Sequence, residues 1–212
     1  MIILPELQQA KTMRNYYQWQ SKIYDATRWS FLFGRKAILK MFPLDKSGPW
    51  KILEVGCGTG VNLAFLAKQY PNSQLYGIDV SSDMLRIASQ RLGPLKKRVT
   101  LEEGAYPLDP LAMEEQFDVI LFSYSLTMIN PEWEVFIRQS IHDLKPGGYV
   151  AVVDFHDSPL GFFKKHMKNN HVRMDGHLLP YLESQSTPVF QAVKKAYGGT
   201  WKYFMWIGKK SD

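Results

Sequence analysis

From Lys51 onward, short apolar runs alternate with stretches whose apolar residues recur at helical spacing, as strands and helices do around a parallel sheet. "KILEV" (51–55) predicts a first strand, and "VNLAFLAKQY" (61–70) places Leu63, Leu66, Ala67 and Tyr70 on one helical face. "LYGIDV" (75–80) predicts a second strand. "SSDMLRIASQRL" (81–92) opens on a Ser/Asp cap signal and predicts a helix with Met84, Leu85, Ala88 and Leu92 turned inward. "VTLEE" (99–103) and "FDVILFSYS" (117–125) predict a third and a fourth strand. Between Pro131 and Leu144, Trp133, Phe136, Ile137 and Ile141 share a helical face, and "KPGG" stops that helix. "YVAVVDF" (149–155) predicts a fifth strand, and "PVFQAVKKA" (188–196) with "WKYFMWIG" (201–208) an antiparallel pair joined around Gly198 and Gly199.

Composition adds bounds. The chain has 212 residues with 45% hydrophobic and 22% charged residues, enough for one soluble domain with a sizeable core. The longest apolar runs are strand-sized, and the N-terminal "MIILPELQQAK" lacks the apolar stretch of a signal peptide or membrane span, so a cytoplasmic protein is expected. A single cysteine, Cys57, excludes an intrachain disulfide. The net charge of +6 divides unevenly: residues 1–50 carry +5, residues 51–160 carry −5 and residues 161–212 carry +6. The basic surplus in the flanks is either a solvated bias or the footprint of an anionic partner.

The chemistry begins at "ILEVGCGTG", where the first strand runs into Gly56, Gly58 and Gly60 and then into a helix. Glycines there let the backbone turn tightly and let a ligand approach main-chain amides at a helix N-terminus. A dinucleotide fingerprint would place its third glycine at position 61, where this chain has Val61, so NAD and FAD are disfavoured. Asp79, at the end of the second strand, has the position of a carboxylate that accepts both hydroxyls of a ribose, or of a helix cap.

Together "EVGCGTG", "GID" and "LKPGG" resemble the Rossmann-like (class I) S-adenosylmethionine-dependent methyltransferases over residues 51 to about 155. The resemblance implies an α/β fold with a mostly parallel central sheet, helices on both faces and a C-terminal antiparallel hairpin. It implies that Glu54 helps hold the methionine amino end, that Gly56, Gly58 and Gly60 line the methionyl moiety and ribose, and that Asp79 binds the ribose hydroxyls. Val80 and Met84 pack on the adenine, Gly104 and Ala105 read it through backbone amides, and Ser123 joins the cofactor set. The position where such enzymes often carry an adenine-reading acid is Ala105 here. The product would be S-adenosyl-L-homocysteine.

The flanks bear on the methyl acceptor. An amine acceptor must lose a proton, and aromatic faces tolerate the ammonium product through cation–π attraction. Residues 1–50 read as a helical aromatic and basic lid; Tyr16, Tyr17 and Tyr24 either face the pocket or hold the lid on the sheet, as Trp29, Phe31 and Phe33 do. Arg28 and Arg35 bind an anionic group of the substrate or close surface ion pairs. After the fifth strand, His156 and Asp157 are candidates for a base and for substrate hydrogen bonds, or cap the next helix. His156, His166, His171 and His177 fall close together, but their spacing fits no familiar ligand set and lysines surround them, so no metal is expected. "LGFFKKHMK" mixes Phe162, Phe163 and Met167 with Lys164, Lys165 and Lys168, as a segment resting on an anionic membrane surface does.

"YYQWQSKIYDATRWSFLFGR", "DFHDS", "DGHLLPYLES" and "AYGGTWKYFMWIGKK" are similar to the N-methyltransferases of betaine-lipid synthesis. That likeness implies a single domain across 1–212, with a core over 51–155, a substrate- and membrane-facing insertion over 156–187 and the hairpin over 188–212. It implies trimethylation of the amine of diacylglyceryl-homoserine by a protein held peripherally at the inner face of the membrane, with Tyr16, Tyr24 and His156 catalytic and Tyr17, Arg28, Arg35 and Asp157 at the substrate. Phosphatidylethanolamine, a small molecule or quinone, and a non-catalytic binding scaffold are the rival readings. "FSYSLTMIN" lacks the Asn/Asp-Pro-Pro-aromatic motif of base methylation, and no nucleic-acid partner is expected.

Overall fold

The structure, a computed structural model, describes residues 31–106 and 113–211. The first described helix, α1 (Arg35–Lys40), turns Ile38 and Leu39 into the interior. There follow β1 (Lys51–Val55), α2 (Val61–Gln69), β2 (Gln74–Asp79), α3 (Ser82–Leu92), β3 (Val99–Glu103), β4 (Phe117–Ser123), α4 (Trp133–Asp143), β5 (Leu144–Asp157), α5 (Gly161–Asn169), α6 (Leu178–Gln185), β6 (Thr187–Ala196) and β7 (Trp201–Lys209).

The strands form one sheet in the order β3-β2-β1-β4-β5-β7-β6. Pairing is parallel from β3 to β5 and antiparallel where β7 joins β5 and β6 joins β7. The strand order reverses between β1 and β4, so their carboxyl ends open a crevice there, the place where such sheets take ligands.

Strand alternation explains the layers. Ile52, Val119, Leu121, Ala151 and Val153 face α1, α2 and α3, while Leu53, Val55, Ile120, Phe122, Val150 and Val152 face α4 and α6. Both faces are buried, which is why β4 and the middle of β5 read as unbroken apolar runs rather than alternating ones. α3 starts where Ser81 accepts a hydrogen bond from the Met84 amide at 3.4 Å, a cap typically worth about 1 kcal/mol. Its buried side is Met84, Ala88 and Leu92, with Leu85 only partly covered.

One boundary differs from the sequence reading. α4 ends at Asp143, but the KPGG segment belongs to β5, because Leu144 already pairs with Phe117 and the register shifts before Tyr149 meets Val119. The glycines sit in a bulge that resets the register of the strand.

Candidate active site

Glu54 lies near the end of β1 and is buried. Its Oε1 accepts a hydrogen bond from Asn62 Nδ2 at 2.6 Å, and Asn62 Oδ1 accepts from Arg35 Nε at 3.2 Å and Nη2 at 3.0 Å. Glu54 Oε2 is fully buried and has no hydrogen-bond partner among the described residues. Burial pushes the carboxyl up to about 8, against the pull of the Asn62 hydrogen bond and the Arg35 charge, with Asp79 adding to the rise. An open carboxylate oxygen at this depth fits an incoming ammonium group, which would restore the ionised form.

The loop from Gly56 to Gly60 is folded back by the Gly56 and Cys57 amides, which both donate to the Ile78 carbonyl, at 2.8 and 3.0 Å. Gly58 has φ +52°, and a Cβ there would meet nothing within 4 Å: the loop leaves open space on that side. Gly60 has φ +72°, and a Cβ there would come within 2.9 Å of Ala88 Cβ on α3. One glycine thus keeps room for a ligand and the other lets the loop close on its helix. Cys57 is buried, and burial, followed by the charges of Asp79 and Glu54, raises its thiol well above the ordinary range; it is an inert core residue.

Asp79 ends β2. Its Oδ2 accepts from the Gly58 amide at 2.8 Å and its Oδ1 from the Ser81 amide at 3.0 Å, so the carboxylate is aimed by the loop and the helix start together. The Gly104 amide donates to the Asp79 carbonyl at 3.0 Å, which brings the half-buried Gly104 and Ala105 to the same end of the sheet. Met84 is buried and Val80 packs partly covered beside it. At the end of β4, Ser123 Oγ is buried with no partner among the described residues, and Ser125 Oγ donates to the Val55 carbonyl at 3.1 Å. The orphaned Glu54 Oε2 and Ser123 Oγ, the aimed Asp79 and the space beside Gly58 fit S-adenosylmethionine.

The acceptor-side expectations divide. Tyr16, Tyr17, Tyr24 and Arg28 lie outside the described residues. Arg35, expected at the substrate or in a surface ion pair, donates to Asn62 and is linked through it to Glu54, because α1 packs beside α2. Asp157, expected to contact substrate, is paired with Lys164 of α5 at 2.6 Å. Burial works against its charge, but the Lys164 hydrogen bond and ion pair and the Ser158 amide outweigh that and hold it below the usual carboxylate range. His156 is half-buried with its Nδ1 unpartnered, and burial keeps it below the ordinary histidine range.

Three features escaped the sequence reading. Asn62, a polar residue on the apolar face of α2, is the link between Arg35 and Glu54. Tyr124 holds the left-handed φ of +57° directly after β4, fixed by its hydroxyl donating to the Phe33 carbonyl at 2.7 Å and its ring edge on Phe155. Asp154, fully buried in β5, accepts from Thr127 Oγ1 at 2.6 Å and from the Thr127 amide at 3.2 Å, pinning the turn Leu126–Met128. Burial raises its carboxyl to about 6 despite those bonds. A charged residue inside "VAVVDF" was the only signal for it.

Residues 52–148 match the family described as a methyltransferase domain. A ubiquinone/menaquinone biosynthesis C-methyltransferase of Syntrophotalea carbinolica is 31% identical over 112 residues, 53% of this chain and 46% of that protein. An uncharacterised methyltransferase of Bacillus subtilis is 36% identical over 101 residues, 48% of this chain and 54% of that protein. The chain spans about half the length of these two curated relatives. Among solved structures, phosphoethanolamine N-methyltransferase 2 of Haemonchus contortus, bound to phosphomonomethylethanolamine and S-adenosylhomocysteine, superposes with a TM-score of 0.73 at 17% identity, covering 94% of this chain and 61% of that one. The 1,6-didemethyltoxoflavin N1-methyltransferase of Burkholderia thailandensis gives 0.72 at 16% identity, covering 100% and 93%. At these identities the structural likeness shows the fold.

Proposed function

We propose that this chain, whose residues 52–148 match the methyltransferase-domain family, is a class I S-adenosylmethionine-dependent methyltransferase that methylates the amine of a lipid headgroup at an anionic membrane surface, with diacylglyceryl-homoserine as the substrate and a betaine lipid as the product. The observation that carries this reading is the surface beside the site. α5 exposes 74% of Phe162 and carries Lys164, Lys165 and Lys168, while Phe163 stacks on Trp201 at 5.3 Å. Trp201 also contacts Phe31, Phe33 and Tyr197, and Tyr197 at the hairpin tip is 54% exposed between Lys195 and Lys202. Exposed rings among lysines suit the headgroup layer of an anionic bilayer.

β5 brings this surface to the site, since Asp157 pairs with Lys202 at the same carboxyl edge that holds Ser123 and His156. No helix among the described residues is long and apolar enough to cross a membrane, and the proposal is of peripheral binding at the inner face. When bound, S-adenosylmethionine supplies an activated methyl group on a sulfonium. Glu54, oriented by Asn62 and Arg35, holds its ammonium; Asp79 accepts from the ribose hydroxyls; Val80 and Met84 cover the adenine. Buried placement of these groups keeps them oriented before the acceptor arrives.

The ubiquinone/menaquinone C-methyltransferase relative favours a second reading, a quinone or other small acceptor. Incubation with methyl-labelled S-adenosylmethionine and vesicles containing diacylglyceryl-homoserine or phosphatidylethanolamine separates the possibilities. Label in mono-, di- and trimethylated homoserine lipid is the expected result; label in the ethanolamine lipid changes the headgroup; label in neither, with cofactor bound, moves the function to a soluble or quinone acceptor.

A further inference from the structure

The segment after α5 returns across the carboxyl edge of the sheet. The Arg173 amide donates to the Thr127 carbonyl at 2.9 Å and the Gly176 amide to the His156 carbonyl at 2.8 Å, so residues 173–177 are tied to the turn after β4 and to the end of β5. This carries His177 onto Trp133 at the start of α4, with ring centroids 4.7 Å apart, and leaves its side chain 9% exposed. Asp175 Oδ1 bonds His177 Nδ1. With Nδ1–H donating to a carboxylate, Nε2 is left as a bare acceptor. That Nε2 is buried and has no partner.

Two more unpartnered polar atoms belong to the same place. His156 Nδ1 is buried without a partner, and a Cβ on Gly176 would stand 3.3 Å from His156 Cε1, which shows how closely the segment lies on that ring. Asn130 Oδ1 is buried without a partner while its Nδ2 donates to the Thr127 carbonyl, the same oxygen that takes the Arg173 amide. Buried polar atoms are ordinarily hydrogen-bonded, so three neighbouring exceptions call for a donor that the described residues do not supply.

We propose that Asn130, His156 and His177 form a subsite for an N–H donor, the amine of the methyl acceptor, and that His177 takes its proton. The acceptor N–H bond breaks, its electron pair stays on the nitrogen as the nucleophile's lone pair, an Nε2–H bond forms, and the imidazolium charge faces Asp175. Asp175 acts through His177 and is a positioning residue. Burial, against the hydrogen bond and charge of Asp175 and with the charges of Arg173 and His156 adding to it, keeps His177 below the ordinary histidine range, which favours the neutral, proton-accepting form at neutral pH. The other charged groups acting here are Asp157 and Lys202 on His156, and Asp175, which its neighbours Arg173 and His177 hold below the carboxylate range against its burial.

The inference rests on the N-methyltransferase reading, and its test does not need the lipid. Histidine ring nitrogens are followed by nuclear magnetic resonance in the full chain with S-adenosylhomocysteine bound, while methylammonium is added, and separately tetramethylammonium, a cation with no N–H. The expected result is movement of the His177 Nε2 and His156 Nδ1 signals with methylammonium alone. Signals unmoved by methylammonium, or moved equally by both ions, overturn the proposal. Movement without lipid methylation leaves the subsite and removes the lipid assignment. On whichever amine is methylated, His177→Asn is expected to lower kcat about 100-fold with cofactor affinity kept, and Asp175→Asn to shift the acid limb of the kcat profile. An unchanged kcat and acid limb in both variants contradict the assignment.

Discussion

Glu54 is the residue at which burial and function meet most sharply. Its carboxyl, pushed up to about 8, favours the protonated form at neutral pH, and its proposed role is to take the cofactor ammonium at Oε2. Cofactor binding between pH 6 and 8 is therefore expected to release a proton, visible calorimetrically as a binding heat that changes with the ionisation enthalpy of the buffer. Glu54→Gln is expected to abolish that release and weaken binding about 10- to 100-fold, the weight of about 1.5–3 kcal/mol for a charged hydrogen bond. Gly58→Ala asks a different question. A Cβ there meets no atom of the described residues within 4 Å, so beyond the strain of its positive φ, of order 1 kcal/mol, the loss should fall on the ligand. The expected outcome is a fall in S-adenosylhomocysteine affinity larger than the fall in thermal stability; an affinity equal to wild type would show that the space beside Gly58 is not used.

At the scale of elements, the segment 173–177 is tied to the turn Leu126–Met128 by the Arg173 amide and to the end of β5 by the Gly176 amide. His156 and His177 are both held below the ordinary histidine value of 6.5, chiefly by burial. The folded protein favours their neutral forms, so their contribution is complete above about pH 6.5 and is lost as pH falls through their lowered values. Asp154, raised to about 6, acts with the opposite sign, because the folded protein binds its proton more tightly than the unfolded chain. Comparing melting temperatures of wild type and His177→Gln from pH 7.5 to 5 isolates the histidine part: the wild type is expected to lose more on the acid side. Parallel curves would contradict it.

The strands and helix faces of this region were legible because apolar period reports burial directly. What period does not report is a partner. Asn62, Asp154 and His177 each read as a polar residue in or beside an apolar pattern, and their partners Glu54, Thr127 and Asp175 became visible only once β1 met α2, β5 met the turn after β4, and the segment folded back. Glu54, Gly58 and Asp79 could be proposed together because one loop joins them. The bond from Arg35 to Asn62 could not be read in the same way, since nothing local showed that α1 packs beside α2.

Across the whole molecule, the uneven charge acquires a geometry. Lys164, Lys165, Lys168, Lys195 and Lys202 flank the exposed Phe162 and Tyr197 toward the carboxyl edge of β5, whereas Lys209 and Lys210 sit at its opposite end, and Pro188 and the bulge around Val189 on β6 guard the open edge of the sheet against pairing with another strand. Replacing Lys164, Lys165 and Lys168 with Gln is expected to weaken binding to anionic vesicles by up to about 1 kcal/mol per lysine, read by co-sedimentation, with a difference that shrinks as salt rises. Lys164 also holds Asp157, so Lys165→Gln with Lys168→Gln is the cleaner pair. The most direct measurement is the initial rate of labelled methyl transfer from S-adenosylmethionine to diacylglyceryl-homoserine in anionic vesicles, compared with the same lipid in neutral vesicles at low and high salt. The account predicts trimethylated lipid, formed faster on anionic vesicles, with the advantage lost at high salt. No methylated lipid, or a rate indifferent to vesicle charge and salt, would contradict it.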